Sequence, residues 1–129
     1  EECHSIVDFR ELCNSCLEKC KHFYSEAIKL AGDHGYCEEV YRRIAGLFMS
    51  FSLATMKIIV SSDMSSKRKR EMISSIVKDK VFQTAIIRAS YKYRSKTKRF
   101  LVFLIRNKCS VGVYLLTKAK NNLVRKYRD

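Results

Sequence analysis

The chain has 129 residues, no proline and only four glycines, and 47% of its residues are hydrophobic. This apolar content excludes a disordered basic tail, and the scarcity of helix-breaking residues predicts an all-α fold. The length fits one domain, 1–129, expected to be a bundle of about five helices. Residues 1–64 carry a net charge of −3, whereas residues 65–129 carry +16. Such a one-sided field acts on partners, so the second half is expected to face a polyanion.

Residues 1–60 are predicted to form a long antiparallel helical hairpin. Ser5 is a candidate N-cap of the first helix, and Gly32 and Gly35 predict the turn into a second helix over about 36–60. Apolar residues of the first helix alternate at spacings of three and four, the pattern of a heptad seam. They are Ile6, Phe9, Cys13, Cys16, Cys20, Phe23, Ala27 and Leu30.

The second helix is predicted to lie in the core. Its uncharged run, 44–56, is shorter than the roughly 18 to 20 apolar residues that a membrane span needs. Its inward face is expected to comprise Cys37, Val40, Tyr41, Ile44, Leu47, Phe48, Phe51 and Thr55. Small residues should let a neighbouring helix approach closely, namely Ala45, Gly46, Ser50, Ser52 and Ala54.

Residues 61–129 form the basic half. A polar break at 61–66 precedes a short third helix whose inward residues are Met72, Ile73, Ile76 and Val77. A fourth helix is predicted over about 80–89, with Val81, Ala85 and Ile86 inward. Two further segments, roughly 97–108 and 110–121, each carry an apolar block between cations. Residues 100–105 could instead form a strand, because short apolar runs are found in both helices and strands.

The six cysteines are Cys3, Cys13, Cys16, Cys20, Cys37 and Cys109. Cys13, Cys16 and Cys20 share one helix face, where three thiolates and a fourth ligand from His4, His34 or Cys37 would suit zinc. Core packing is favoured over a metal site or a disulfide, because these cysteines fall on the apolar seam and free cysteine behaves as a small hydrophobe. No metal and no cofactor are predicted, and the thiols are expected to be reduced.

No catalytic constellation is recognisable in the sequence. His4, His22 and His34 all fall near the N-terminal hairpin, and the second half has only Glu71, Asp79 and Asp129 as carboxylates. A Gly-rich phosphate loop, an Asp-x-Asp pair and an HExxH motif are all missing. No catalytic residue is therefore predicted.

Two basic surfaces are candidates for binding a polyanion. Cations that border the apolar blocks of 100–116 fit an interfacial helix pair on an anionic membrane. They are Lys98, Arg99, Arg106, Lys108, Lys118 and Lys120. Cations interleaved with aromatic residues fit nucleic-acid binding instead. Those are Lys67, Arg68, Lys69, Arg70, Tyr91, Tyr93 and Arg94. A solvated basic bundle face is the plainer alternative.

Several segments together match a known pattern. A first helix ends near a glycine, a long second helix covers 40–59, and the run Ser65-Ser66-Lys67-Arg68-Lys69-Arg70-Glu71 follows. Next come segments 79–89 and 98–108, and then Leu115-Leu116-Thr117-Lys118-Ala119-Lys120. In this order, residues 23–120 resemble the C-terminal helical region of bacterial family-2 glycosyltransferases that make capsular or surface polysaccharide.

The resemblance implies a non-catalytic role for this segment. In such enzymes a preceding α/β nucleotide-sugar domain supplies the Asp-x-Asp metal site and the catalytic base, and no position here matches them. The chain is then expected to support a catalytic domain and to dock it on the cytoplasmic face of the inner membrane. The alternatives are a basic helical nucleic-acid-binding module and a secreted disulfide-containing helical-bundle signalling protein. A homo-oligomer is left open.

Overall fold

The computed structural model describes residues 6–89 and 95–128, with side chains over 9–89 and 95–123. The described residues form six helices and no strand, so the predicted all-α bundle is confirmed. About five helices were predicted. The segment 100–105 is helical. The helices are α1 Ile6–Asp33, α2 Glu38–Ser61, α3 Ser66–Val77, α4 Lys80–Ala89, α5 Lys96–Arg106 and α6 Ser110–Arg128. Cys3, His4, Ser5, Tyr91, Tyr93 and Arg94 lie outside the described residues.

Helices α1 and α2 fold back on each other through a tight turn. Gly35 has a φ of 67°, the left-handed conformation that favours glycine after a helix. The backbone N–H of Tyr36 donates to the carbonyl of Ala31 at 3.0 Å, which satisfies a carbonyl at the helix end. The Tyr24 ring stacks on Phe48 with centroids 4.8 Å apart. Tyr24 and Phe48 lie at similar distances from the turn along their two helices, as in an antiparallel hairpin.

The predicted seam of α1 is only partly correct. Cys13 is buried, but Cys16 is exposed, Phe23 is 68% exposed and Leu30 is also exposed. Tyr24 and Ala31 take the buried positions one residue further on. A straight helix has 3.6 residues per turn, so a stripe extrapolated at 3.5 drifts by about 20° per heptad. Over a helix of 28 residues that drift is enough to move the buried face by one position.

Helix α2 occupies the middle of the bundle and packs against α1, α3, α4 and α6. Its buried residues are Ala45, Gly46, Phe48, Met49, Ser52, Thr55, Met56, Ile59 and Val60. Three residues predicted to point inward are exposed, namely Cys37, Leu47 and Phe51. The apolar residues of α2 encircle more of the helix than its neighbours cover.

Two details of α2 qualify the sequence interpretation. Of the small residues expected at a helix contact, Ala45, Gly46 and Ser52 are buried, whereas Ser50 and Ala54 are exposed. By length and composition, α2 is also the one described helix that could cross a membrane, and 56% of its most apolar window is buried. A core helix gives the same signal.

Helices α3 and α4 complete the core under α2. The inward face predicted for α3 is confirmed, because Met72, Ile73, Ile76 and Val77 are all buried. In α4, Ala85 and Ile86 are buried as expected, but Phe82 is the main anchor and Val81 is only half-buried. The Phe82 ring meets Phe48 edge-on with centroids 6.5 Å apart. This contact places α4 directly against α2.

Helices α5 and α6 form a second hairpin. Lys108 lies in the turn with a φ of 56°, and the backbone N–H of Cys109 donates to the Leu104 carbonyl at 2.9 Å. A Cβ on Gly112 would lie 3.0 Å from a Leu104 methyl carbon and 3.0 Å from the Cys109 Sγ. The glycine therefore permits the close approach of α6 to the end of α5.

Candidate functional site: basic faces of the bundle

The interior polar groups serve the fold. Lys21 Nζ lies 2.6 Å from a carboxylate oxygen of Asp79, and this ion pair joins α1 to the start of α4. The other oxygen of Asp79 accepts the backbone N–H groups of Val81 at 2.8 Å and Phe82 at 3.1 Å. Asp79 is thus the N-cap of α4 as well as an ion-pair partner.

The pKa values of this pair follow from those contacts. Burial alone would raise the pKa of Asp79, but the Lys21 ammonium and the N–H groups of Phe82 and Val81 outweigh it and lower the pKa. The hydrogen bond to Asp79 raises the pKa of Lys21, against an opposing effect of burial. Both groups are held in their charged forms, which suits a structural pair.

A groove of about 300 Å³ beside this pair is lined by residues of α1 to α4, including Ser52, Ser75 and Phe82. The Ser52 hydroxyl is buried there and has no protein hydrogen-bond partner. A nucleophilic serine needs an adjacent base, which this one lacks. The histidines lie elsewhere: His22 is exposed, and His34 contacts the Leu30 carbonyl through Nδ1 at 3.0 Å. Within the described residues we find no acid–base constellation.

The cysteines of α1 do not converge as zinc ligands. Cys13 is buried, Cys16 is exposed and Cys20 is half-buried. Burial raises the pKa of both Cys13 and Cys20, and the neighbouring Cys16 raises that of Cys13 further. Because zinc binds the thiolate, raised pKa values disfavour metal binding by Cys13 and Cys20. No cluster of three metal-ligating side chains occurs in the described part of the chain, and its five cysteines are free.

The outer face of α5 combines exposed aromatic rings with cations. Phe100 and Phe103 are 52% and 60% exposed, and their rings stack with centroids 6.5 Å apart. Arg99 and Arg106 are exposed on the same helix, and both border a shallow groove of about 420 Å³ beside Phe103. One helix face thus presents two unpacked rings between two guanidinium groups.

The other cations predicted for membrane contact divide into two groups. Lys108 is exposed in the turn after α5, and Lys118 is exposed on α6 with its Nζ 6.0 Å from the Tyr114 ring centroid. Lys98 and Lys120 instead line a narrow crevice between helices, together with Lys57 of α2. The structure therefore splits the predicted set between an outer face and a crevice.

Helix α3 carries the second basic face. Lys67 and Arg70 are exposed and, with Lys78, line a shallow groove beside the start of α6. Lys69 is used differently, because its Nζ donates to the Val60 carbonyl at 2.7 Å and so caps the C-terminal end of α2. Arg68 is half-buried. Of the four consecutive cations at 67–70, Lys67 and Arg70 are therefore the exposed ones.

The position of these cations opposes the helix dipole. The positive end of a helix favours acidic residues, and α2 meets this rule with Glu38 and Glu39 in its first turn. Neither α3 nor α5 has an acidic residue in its first turn. Lys67 begins the cations of α3 and Lys96 those of α5. Such a placement costs stability at the start of each helix.

Lys57 is the functional candidate that the sequence interpretation missed. It lies in the half of the chain with net negative charge, and the charge asymmetry drew attention away from it. No local signal separates it from other surface lysines, because its neighbours in the crevice come from α5 and α6.

The comparisons with known proteins find no counterpart. No family model, curated protein or solved structure matches the chain.

Proposed function

We propose that this chain is a non-catalytic helical module that docks on an anionic membrane surface through the outer face of α5. The observation that carries the proposal is the exposed Phe100–Phe103 stack between Arg99 and Arg106. Amphipathic helices that lie in the membrane interface place aromatic or aliphatic residues among the acyl chains and cations among the head groups.

The magnitudes favour a docking face over a solvated one. Full burial of an exposed phenylalanine side chain contributes about 1.5–3 kcal/mol. Phe100 and Phe103 are 52% and 60% exposed, so each can gain roughly half of that. Each cation near an anionic leaflet contributes about 1 kcal/mol. Two rings and two guanidinium groups therefore reach several kcal/mol before the cost of association. Lys108 and Lys118 add positive charge beside this face, on the turn and on α6.

The parent protein is proposed to be a bacterial family-2 glycosyltransferase. This part of the proposal rests on the resemblance of residues 23–120 to the C-terminal region of those enzymes. The chain would then hold the catalytic domain at the cytoplasmic face of the inner membrane, close to a lipid-linked acceptor.

Vesicle co-sedimentation tests the docking face. The chain should bind phosphatidylcholine vesicles that contain phosphatidylglycerol and should not bind pure phosphatidylcholine, and added salt should weaken binding by screening. Removing both charges in Arg99→Gln/Arg106→Gln should reduce the affinity about 30-fold, since two cations are worth roughly 2 kcal/mol.

A matched control removes the same charge from another face. Lys67→Gln/Arg70→Gln lies on α3 and should change vesicle affinity much less, because both residues belong to a different groove. Phe100→Ala/Phe103→Ala should weaken binding without changing the net charge. Equal losses in the α3 and α5 charge variants would contradict docking through α5 and leave only a non-specific charge effect.

Nucleic-acid binding through α3 is the second candidate. The groove with Lys67, Arg70 and Lys78 favours it, since cations that follow a groove track a phosphate backbone. A filter-binding assay with single-stranded RNA in rising salt distinguishes the two, because each phosphate contact releases counterions. If this candidate is correct, Lys67→Gln/Arg70→Gln should abolish RNA binding and Arg99→Gln/Arg106→Gln should leave it intact.

A further inference from the structure

Three lysines from distant parts of the chain line one crevice. Lys57 comes from α2, Lys98 from the first turn of α5 and Lys120 from α6. The same crevice is bordered by apolar side chains and one hydroxyl, those of Leu53, Leu101, Leu116 and Thr117. The fold, and no local sequence pattern, therefore brings the cations together.

The helices around this crevice are fixed in place. Asn121 Nδ2 donates to the Lys57 carbonyl at 3.2 Å and to the Ser61 Oγ at 2.9 Å, which attaches α6 to the C-terminal turn of α2. Leu101 and Thr117 are buried between the helices. These contacts attach the helices that carry the three lysines to one another. The long lysine side chains can still change conformation to fit a ligand.

Two of the charges in this crevice, those of Lys57 and Lys120, repel each other. None of the described residues that line it is acidic. Burial and then the positive charge of Lys57 lower the pKa of Lys120. Lys98 also lies in the first turn of α5, at the positive end of the helix dipole, where a further cation is unfavourable. An anion bound between Lys57 and Lys120 would offset the repulsion between their charges.

The size of the crevice restricts the anion. Its closed part has room of about 20 Å³ for the centres of water molecules, which is enough for one water. A nucleobase or a peptide side chain does not fit inside. A compact group bound at the mouth, with several acceptor oxygens for ammonium donors, matches both the opening and the charge.

We propose that the crevice formed by Lys57, Lys98 and Lys120 binds a phosphate monoester, carried either by a lipid head group or by a soluble molecule. A phosphate monoester carries close to two negative charges at neutral pH, which matches the ammonium groups of Lys57 and Lys120 in this crevice. The site lies apart from the Phe100–Phe103 face, so it goes beyond the docking function proposed above and can be correct when that function is not.

Binding is tested by following the amide ¹H and ¹⁵N shifts of the whole chain during titration with inorganic phosphate at constant ionic strength, with chloride as the reference salt. Phosphate should shift the amides around Leu53, Leu101 and Thr117 in a saturable way, and chloride should not. Vesicles containing phosphatidic acid, compared with vesicles of equal charge containing phosphatidylglycerol, provide the lipid arm. Saturation by inorganic phosphate identifies a soluble source, and preference for phosphatidic acid alone identifies a lipid head group.

Variants locate the site. Lys57→Met and Lys120→Met should each weaken phosphate binding about tenfold, the effect of one lost charge-assisted hydrogen bond. Lys57→Arg keeps the charge and should retain most of the affinity. Lys118→Met is the matched control, because Lys118 is on α6 but outside the crevice and should leave binding unchanged.

Two results would overturn the proposal. The first is a response to phosphate no larger than the response to chloride, with no preference for phosphatidic acid over phosphatidylglycerol. The second is phosphate binding that survives in both Lys57→Met and Lys120→Met. Arg99→Gln/Arg106→Gln separates this site from the docking face, since it should weaken vesicle docking as stated above and leave the phosphate titration unaltered.

Discussion

Helix α2 and helix α5 differ in how their charges relate to their own stability. Helix α2 has Glu38 and Glu39 in its first turn, and Glu39 pairs one turn later with Arg43 at 3.1 Å. Both features stabilise the helix. Helix α5 begins with cations and no acid in its first turn, and its phenylalanines Phe100 and Phe103 face solvent.

The difference shows how far the side chains of each helix serve the fold. The side chains around α2 mostly serve the fold, as the stacked Tyr24 and Phe48 rings show. In α5 the first-turn cations oppose the helix dipole, and Phe100 and Phe103 are more than half exposed. Positions that cost stability without a structural return are expected at functional surfaces.

The largest expected effect compares two phenylalanines. Phe82→Ala removes a side chain that is 1% exposed and packed against Phe48, so it should cost about 3–5 kcal/mol of unfolding free energy. Phe103→Ala, on the outer face of α5, should change it by less than about 0.5 kcal/mol. Urea unfolding followed by circular dichroism measures both. Similar losses of unfolding free energy in the two variants would show that Phe103 is packed in the folded chain and is not exposed on the outer face of α5.

The ion pair between α1 and α4 gives the next largest effect. Asp79→Ala removes both the N-cap of α4 and the partner of Lys21. About 1 kcal/mol for the cap and about 1.5–3 kcal/mol for the charged hydrogen bond predict a total loss of roughly 2–4 kcal/mol. Asp79→Asn should recover the capping part, because asparagine caps helices as well as aspartate does. Equal losses in the two variants would show that Asp79 does not act as a cap.

The same pair predicts a pH dependence. The pKa of Asp79 is lower in the folded chain than in the unfolded one, so its contribution is present above about pH 4 and is lost as the pH falls through the folded value. The stability difference between the natural chain and Asp79→Asn should therefore narrow from pH 7 to pH 3. A difference that stays constant over that range would show that the ion pair is not its cause.

Much of the fold was predictable from local patterns. The absence of proline, the glycine at the α1–α2 turn and the spacing of Met72, Ile73, Ile76 and Val77 indicated helices and their inward faces correctly. The buried face of α1 was misjudged by one position, so Tyr24 was missed in favour of Phe23. That error comes from the helical period, because a small angular difference accumulates along a long helix.

The basic surfaces were less predictable. Arg99 and Arg106 were predicted to bind an anionic surface, and the structure shows both residues exposed at the border of the apolar block. The separation of Lys98 and Lys120 from that face depends on how α5 and α6 pack on α2. The capping role of Lys69 likewise requires the end of α2 nearby. Tertiary contacts decide these assignments, and a one-dimensional pattern does not contain them.

The smallest expected effect tests whether the charge of Lys96 lowers the stability of α5 while it favours binding to an anionic membrane. Lys96 is exposed at the first position of α5, where a positive charge opposes the helix dipole. Lys96→Glu should raise the unfolding free energy by about 0.3–1 kcal/mol, and it should weaken binding to phosphatidylglycerol vesicles. Thermal unfolding and co-sedimentation measure the two changes. Lys96→Gln should give an intermediate result in both, and a variant that loses stability and binding together would show that the charge of Lys96 supports the helix itself.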